Sequence, residues 1–257
     1  MLEIDIVTIF PKIFDSPFSE GIIRIAQEKG LLKIRAVDLR EFAKDSHGTV
    51  DDKPYGGGPG MVMKPKPLFD AIRELKNGAA KTFLLSPQGM PFDQSLANRL
   101  AHEQHLILIC GRYKGVDERT SKVVDGEISI GDYILSGGEF AALVIIDAVT
   151  RLIPGVIGDF DSAAGDSFYN RILDAPYYTR PGDLEGLKVP EVLLSGDHEE
   201  IRKWRKKEAL KRTLLRRPDL LEKADLDEEA MSILRELRWK KKRERRERCR
   251  RSSQETR

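Results

Sequence analysis

Three short apolar runs, each followed at once by a polar loop that contains glycine, constrain the fold of this chain more than any other feature. The runs are residues 81–85, 105–110 and 128–130. Apolar runs of this length between turn residues are typical of strands that are buried on both faces of a sheet. Because strands and helical segments alternate up to residue 153, the sequence predicts an α/β fold with a mostly parallel sheet.

The loops that follow these runs predict one shared ligand site. They cover residues 86–89, 111–119 and 131–139. Parallel strands bring their carboxyl ends to one edge of a sheet, and open α/β sheets bind their ligands there. Glycine in such loops allows backbone amides and carbonyls to approach a ligand without an intervening side chain. The segment Ser136–Glu139 also begins a helix, where backbone amides either bind an anion or are simply capped.

Composition is ordinary for a soluble globular protein, with 33 % charged and 40 % apolar residues. The chain has no long uninterrupted apolar stretch, so we expect no membrane span. Its first residues lack the basic region of a signal peptide, which favours the cytoplasm. The only cysteines are Cys110 and Cys249, so we expect neither a disulfide framework nor a zinc site.

Positive charge is concentrated near the end of the chain. Residues 240–257 contain ten Lys/Arg and three Glu, whereas residues 1–239 contain 34 Lys/Arg and 39 Asp/Glu. A second basic block, residues 202–217, contains nine Lys/Arg and one Glu. Basicity confined to one region indicates a nucleic-acid partner, although a solvated helical face with a frayed tail would have the same composition.

The organisation of the chain changes after residue 155. Residues 155–170 are small, polar and acidic and resemble a linker. Asp197 and Glu200 have the spacing of a capping box and predict the start of a helix with Trp204 on its apolar face. Residues 240–251 are too charged to pack and are expected to form a solvated helix or to be disordered.

Three further features have weak signals when they are considered alone. The glycine-rich loop 56–60 lacks the Gly-Lys-Ser/Thr that a triphosphate-binding loop requires. From periodicity, Arg151 is a cation at the C-terminal end of a helix, and Asp166 is a cap or turn residue.

Several segments together carry a resemblance to a known family. They are Asp5–Pro11, Lys53–Met61, Leu84–Gly89, Gly111–Tyr113, Ser129–Glu139, Arg151–Gly155, Tyr178–Pro181 and Val192–His198. In this order they resemble the bacterial tRNA (guanine-37-N1)-methyltransferases of the SPOUT class, from the first residues to about Leu221.

The resemblance implies a fold and a domain organisation. The expected fold is a mostly parallel α/β sheet with a deep trefoil knot, followed by a small helical C-terminal domain. Residues 1–157 would form the knotted domain that binds the methyl donor, and residues 158–173 a flexible linker. Residues 174–239 would form a helical tRNA-binding domain, and residues 240–257 a basic tail.

The resemblance also implies the ligands. The methyl donor would be S-adenosylmethionine and the substrate the anticodon stem-loop of tRNA, in which guanosine 37 is methylated at N1. The protein would be a homodimer with its active site at the subunit interface. The positions that match the family's donor-binding residues are Ser86, Pro87, Gln88, Gly89, Gly111, Tyr113, Ile130, Gly131, Asp132, Tyr133, Ile134, Leu135, Gly137 and Gly138.

The chemistry of the implied reaction gives roles to two residues. N1 of guanine carries a proton at neutral pH, and by resemblance Asp166 is the base that removes it. Arg151 matches the family residue that stabilises the negative charge developing on O6. Many members have an acidic residue where this chain has Lys114, and the family is associated with Mg²⁺. The sequence contains no cluster that identifies metal ligands.

Two other hypotheses remain open from the sequence. A related knotted methyltransferase could act on another RNA, although the matches at Asp166 and Arg151 argue against it. A non-catalytic RNA-binding protein would account for the basic C-terminal part alone.

Overall fold

The computed structural model describes residues 1–157, 166–168 and 170–255, with the backbone alone at residues 241 and 244–255. The chain divides into two compact units, Met1–Phe160 and Asp161–Arg257. The predicted linker, residues 158–173, lies in large part outside the described residues. No helix in the described part of the chain is both long enough and apolar enough to cross a bilayer.

The first unit contains alternating strands and helices, as predicted. Its strands are β1 (Leu2–Thr8), β2 (Leu32–Asp38), β3 (Asp51–Asp52), β4 (Val62–Met63), β5 (Ala80–Pro91), β6 (His105–Cys110) and β7 (Gly126–Ser129). Its α-helices are α1 (Asp15–Ser19), α2 (Gly21–Glu28), α3 (Pro65–Leu75), α4 (Gln94–Ala101) and α5 (Glu139–Thr150). Helices α1 and α2 are separate, because Gly21 has a φ of 59° at their junction.

Five strands form one sheet in the order β2-β1-β6-β5-β7, and every neighbouring pair is parallel. This confirms the mostly parallel α/β sheet. The central strand β6 is buried at all six positions, as its uninterrupted apolar sequence predicts. The predicted strand at residues 128–130 is wrong at its end, because β7 stops at Ser129.

Helices cover both faces of this sheet. Ile107 and Ile109 pack in one cluster with Leu68 and Ile72 of α3. Their neighbours in β6 point to the other face, because side chains alternate along a strand. On that side α5 contacts β6, α2 and α4. The helices therefore leave the carboxyl edge of the sheet to the loops.

Strand β5 differs from its prediction, in which the strand ends at Leu85. Leu85 and Met90 both lie opposite Ile128, so residues 86–89 are looped out of a strand that then resumes. Gly89 makes this possible, because a Cβ atom there would lie 2.4 Å from the backbone nitrogen of Ile128. The predicted loop is therefore a wide bulge inside β5.

The second unit contains the hairpin β8 (Asp183–Leu184) and β9 (Leu187–Lys188), followed by α6 (His198–Arg216) and α7 (Glu228–Glu255). Asp197 caps α6 by accepting the backbone N–H groups of Glu199 and Glu200. The small core of this unit contains Leu210, Leu221, Ala230, Leu234 and Leu237. Leu215 of α6 is not part of this core, since its side chain is exposed.

Candidate active site

Three loops at the carboxyl edge of the sheet surround a cavity of about 710 Å³ in the first unit. The bulge in β5, the loop after β6 and the loop between β7 and α5 supply its walls. These are the three glycine-bearing loops identified from the sequence. The predicted donor-binding residues that line the cavity are Ser86, Pro87, Gln88, Gly111, Tyr113, Ile130, Gly131, Tyr133, Ile134, Leu135, Gly137 and Gly138.

Two of the predicted donor-binding residues do not line this cavity. Gly89 packs against the backbone of Ile128 instead, and Asp132 is exposed. The cavity also contains residues that the sequence did not single out as donor-binding. They are Leu84, Leu85, Arg112, Lys114, Gly115, Val116, Glu118, Ser121, Glu127, Ile128, Ser129, Ser136 and Ala141. Six of them lie within the predicted loops, so treating each loop as a unit would have found Arg112, Lys114, Gly115, Val116, Glu118 and Ser136.

The loop after β6 and the start of α5 are joined by their backbones. The N–H of Gly138 donates to the carbonyl of Gly111 at 3.0 Å, and Arg112 and Gly137 form an antiparallel bridge. A Cβ atom on Gly138 would lie 2.7 Å from Cα of Cys110. Glycine is therefore required here so that the two chain segments can approach.

The buried carboxylate of Glu139 stabilises this junction between the loop after β6 and the start of α5. Glu139 is fully buried, and its Oε1 accepts a hydrogen bond from the Thr8 hydroxyl at 2.8 Å. Arg112 Nε lies 3.1 Å from the other carboxylate oxygen, and its guanidinium lies 4.5 Å from the Phe10 ring centroid. Thr8 ends β1 and Glu139 begins α5. The cluster therefore fixes Arg112, which lies in the loop after β6, relative to β1 and α5.

The glycine-rich loop 56–60 is followed by a segment that pairs with the cavity's rim. The N–H groups of Lys114 and Asp117 donate to the carbonyls of Met61 and Met63, each at 3.0 Å. Within the described residues the glycines of this loop do not line the cavity.

Cys110 lies at the end of β6 and is completely buried. Burial raises the pKa of its thiol well above the ordinary value, and the negative charge of Glu139 adds to this effect. The thiol is thus protonated at neutral pH and is unsuited to act as a nucleophile.

A possible metal-binding cluster in the first unit lies away from the cavity. Among the described residues, the acidic and histidine side chains close enough to share an ion are Glu3, Asp5 and His105. His105 begins β6, so the cluster is at the opposite edge of the sheet. Asp5 already binds Arg35 and His105, and Glu3 binds Lys33 at 2.7 Å. Nearby cations therefore already neutralise these carboxylates.

Arg151 is the C-cap residue of α5 and is exposed. Its backbone N–H donates to Asp147 at 3.2 Å. Of the residues of α5 that line the cavity, Ala141 is the nearest to Arg151 along the helix. At a rise of 1.5 Å per residue the backbones of these two residues are about 15 Å apart. Within one chain, the predicted catalytic arginine therefore lies several helical turns from the part of α5 that lines the cavity.

Asp166, the other predicted catalytic residue, belongs to the second unit and is exposed. A hydrogen bond with Asp174 chiefly raises the pKa of Tyr177, and the negative charge of Asp166 contributes in the same direction. The Arg205 guanidinium lies 5.7 Å from the Tyr177 ring centroid. Asp166 is thus near enough to influence Tyr177, whose ring contacts Arg205; aromatic and arginine side chains stack on RNA bases.

A second aromatic contact lies in the same unit. The rings of Tyr178 and Trp204 are 6.4 Å apart. Trp204 is half-buried, as expected from its apolar helix face, whereas Tyr178 is exposed. Tyr177 and Tyr178 are therefore candidates for contact with unpaired bases.

Comparison with known proteins identifies the family. Residues 2–223 match the family model described as tRNA (Guanine-1)-methyltransferase TrmD. A relative from Dictyoglomus turgidum is 58 % identical over 93 % of this chain and 97 % of its own length. One from Geobacillus kaustophilus is 52 % identical over 95 % of this chain and 100 % of its own. Both are named tRNA (guanine-N(1)-)-methyltransferase. The resemblance seen in the motifs is confirmed, and the chain belongs to the tRNA (guanine-1)-methyltransferase family.

Proposed function

We propose that this chain transfers a methyl group from S-adenosylmethionine to N1 of guanosine 37 in tRNA, next to the anticodon. The observation that carries this proposal is the cavity at the carboxyl edge of the sheet, in a chain that belongs to this family throughout its first 223 residues. A tRNA substrate also favours a cytoplasmic place of action.

The cavity suits a donor with both polar and apolar parts. Its glycines expose backbone groups, while Tyr133, Ile134 and Leu135 supply apolar surface. When bound, the donor supplies an electrophilic methyl group on a sulfonium sulfur. The chain therefore needs no nucleophile of its own, which agrees with the protonated state of Cys110.

The remaining chemistry is assigned to two side chains. Asp166 would accept the N1 proton of guanine as the methyl group arrives. The Arg151 guanidinium would stabilise the negative charge that develops on O6. We assign no Mg²⁺ ligand, because Lys114 places a positive charge on the cavity wall where many family members have an acidic residue.

The position of Arg151 supports a site shared between two subunits. An arginine side chain cannot span the roughly 15 Å that separate Arg151 from Ala141, the nearest residue of α5 that lines the cavity of its own chain. In a homodimer, Arg151 of one subunit would serve the cavity of the other. The exposed apolar residues Phe140 and Val144 on α5, and Ile134 on the rim, support such an interface.

We also propose the deep trefoil knot of the SPOUT class for the first unit and tRNA binding for the helical second unit. The backbone contacts between the loop after β6 and the start of α5 support the knot, because they bring two loops of the implied crossing together. The exposed Tyr177 and Tyr178 support RNA contact by the second unit.

A shared site predicts that two inactive variants complement each other. One variant is Arg151→Ala, which removes the residue proposed to act across the interface, and the other is Gly138→Ala, which should cripple donor binding. Mixed dimers should contain one intact site and regain a substantial fraction of activity. Methyl transfer is measured after subunit exchange, which is checked with differently tagged chains. Complete exchange without recovered activity would contradict a site built from two subunits.

The function itself is tested with labelled methyl donor and tRNA transcripts. We expect labelling of a transcript with guanosine at positions 36 and 37, and loss of labelling when guanosine 37 is replaced by adenosine. Unchanged labelling of the adenosine transcript would favour a related methyltransferase with another target. Binding of tRNA without any methyl transfer would favour the non-catalytic alternative.

A further inference from the structure

The positive charges of helix α6 are largely paired inside the second unit. Arg202 binds Glu199 at 2.9 Å and Glu229 at 3.0 Å. Lys206 Nζ lies 2.6 Å from both Asp227 and Glu229. Arg202 and then Lys206 lower the pKa of Glu229 to about 2, so these pairs are intact at neutral pH. Further pairs join Lys203 to Glu200, Lys207 to Glu236 and Lys211 to Glu208.

These ion pairs reduce the positive charge that the basic block at residues 202–217 can present to RNA. In the sequence this block is one of the two basic segments that indicate a nucleic-acid partner. The acidic partners come from α6 itself, from Asp227 just before α7, and from the first part of α7, so they cancel much of that charge where it arises. Neutralising Arg202 and Lys206 would therefore disturb the contact between α6 and α7 more than it would disturb an RNA surface.

The end of α7 has a different composition. Residues 240–255, which we name the basic arm, contain nine Lys/Arg and only three Glu. The core residues of this helix, from Ala230 to Leu237, end just before the arm begins. The backbone nevertheless remains helical to Glu255, about 27 Å beyond Leu237. The arm is thus the helical continuation of a packed segment.

The base of the arm carries an exposed aromatic residue. Trp239 is 59 % exposed, and the Arg243 guanidinium lies 5.4 Å from its ring centroid. Stacked aromatic and arginine side chains beside a basic surface are common in sites for single-stranded nucleic acid. The family match ends at residue 223, so the arm lies beyond the segment that the family model matches.

We propose that the basic arm is a docking surface for the phosphate backbone of the substrate tRNA. The inference rests on the proposed function for the identity of the RNA, and on charge complementarity for the contact. A helix with nine cations in its last turns neutralises phosphates and releases their counterions, which contributes affinity without reading sequence. The arm would raise affinity for tRNA while leaving the choice of base to the active site.

The test replaces Lys241, Lys242, Arg245 and Arg246 with glutamine, which preserves helix propensity. Binding of one tRNA is measured at several salt concentrations in the absence of methyl donor. We expect affinity at low salt to fall at least about tenfold. The slope of log affinity against log salt should decrease by about 3–4, roughly one for each lost phosphate contact. Affinity for S-adenosylmethionine should not change.

A matched variant of opposite sign controls for structural damage. Replacing Glu244 and Glu247 with glutamine alters the same turns but increases their positive charge. It should strengthen tRNA binding and steepen the salt dependence. A third variant, with Arg202 and Lys206 replaced by glutamine, should lower the thermal midpoint yet change the salt slope less than the arm variant does.

Two results would overturn the proposal. One is unchanged tRNA affinity and salt slope in the arm variant. The other is arm-dependent binding to vesicles of phosphatidylglycerol and phosphatidylcholine, with tRNA binding unaffected, which would make the arm a membrane-surface contact. Since these assays involve no methyl transfer, a chain that binds tRNA through the arm but methylates no guanosine would contradict only the proposed function.

Discussion

Replacing Asp166 or Arg151 with alanine should abolish most methyl transfer and leave donor binding intact. Removing a positioned general base typically costs about 10²–10⁴-fold in rate. Removing a group that stabilises a developing oxyanion costs about 10²–10³-fold. Both residues are outside the set that lines the donor cavity, so affinity for S-adenosylmethionine should be retained. Single-turnover methylation and calorimetric donor binding measure the two properties separately.

A matched aspartate variant controls for general effects on the second unit. Asp225 is exposed in the same unit as Asp166, and Asp225→Ala should methylate tRNA at the normal rate. Near-normal single-turnover rates in Asp166→Ala or Arg151→Ala would show that the assigned role is wrong.

Replacing Gly138 with alanine should abolish or strongly weaken donor binding. The new methyl group would lie 2.7 Å from Cα of Cys110, and this backbone atom cannot move without separating α5 from β6. Overpacking of this kind costs about 1–3 kcal/mol. If this strain falls on the donor site, affinity should drop about 5- to 150-fold. The measurement is donor affinity, together with circular dichroism to verify that the sheet is formed.

Gly78→Ala is the matched control for this substitution. A Cβ atom there would meet nothing within 4 Å, and Gly78 does not have a positive φ. Its donor affinity should be normal. A folded Gly138→Ala protein with unchanged donor affinity would contradict the assignment of this junction to the donor site.

The features that the sequence predicted correctly are those that depend on residues close together in the chain. The limits of β6 follow from the run at residues 105–110, and all six of these residues are buried in the structure. The start of α6 follows from Asp197, whose carboxylate accepts the backbone N–H groups of Glu199 and Glu200 in the first turn. The grouping of three glycine-bearing loops follows from the geometry of a parallel sheet. Their chemical role came from the family resemblance.

Features that depend on distant pairs could not be predicted from the sequence. The contacts of Glu139 with Arg112 and Thr8 join segments 27 and 131 residues apart. The pairing of Lys206 with Asp227 and Glu229 likewise depends on how α6 packs against α7. The charge of a segment, counted from its own residues, leaves out the acidic residues of other segments that the fold places beside it.

The continuation of β5 after its bulge could not be predicted from the local sequence either. Residues 86–89 have the composition of a terminal loop, and only the pairing of Leu85 and Met90 with the same residue of β7 reveals the continuing strand. Arg151 presents the opposite case. Its role was suggested by resemblance, and the length of α5 then led us to propose that it serves another subunit.

The central claim is most directly tested by mapping the methylated nucleotide in tRNA that has been treated with the purified protein. The tRNA should come from cells or transcripts that lack the modification, and nuclease fragments should be sequenced by mass spectrometry. The account predicts one added methyl group, on N1 of guanosine 37, in tRNAs with guanosine at position 36. A methyl group on another nucleotide, or on another atom of guanosine 37, would contradict it.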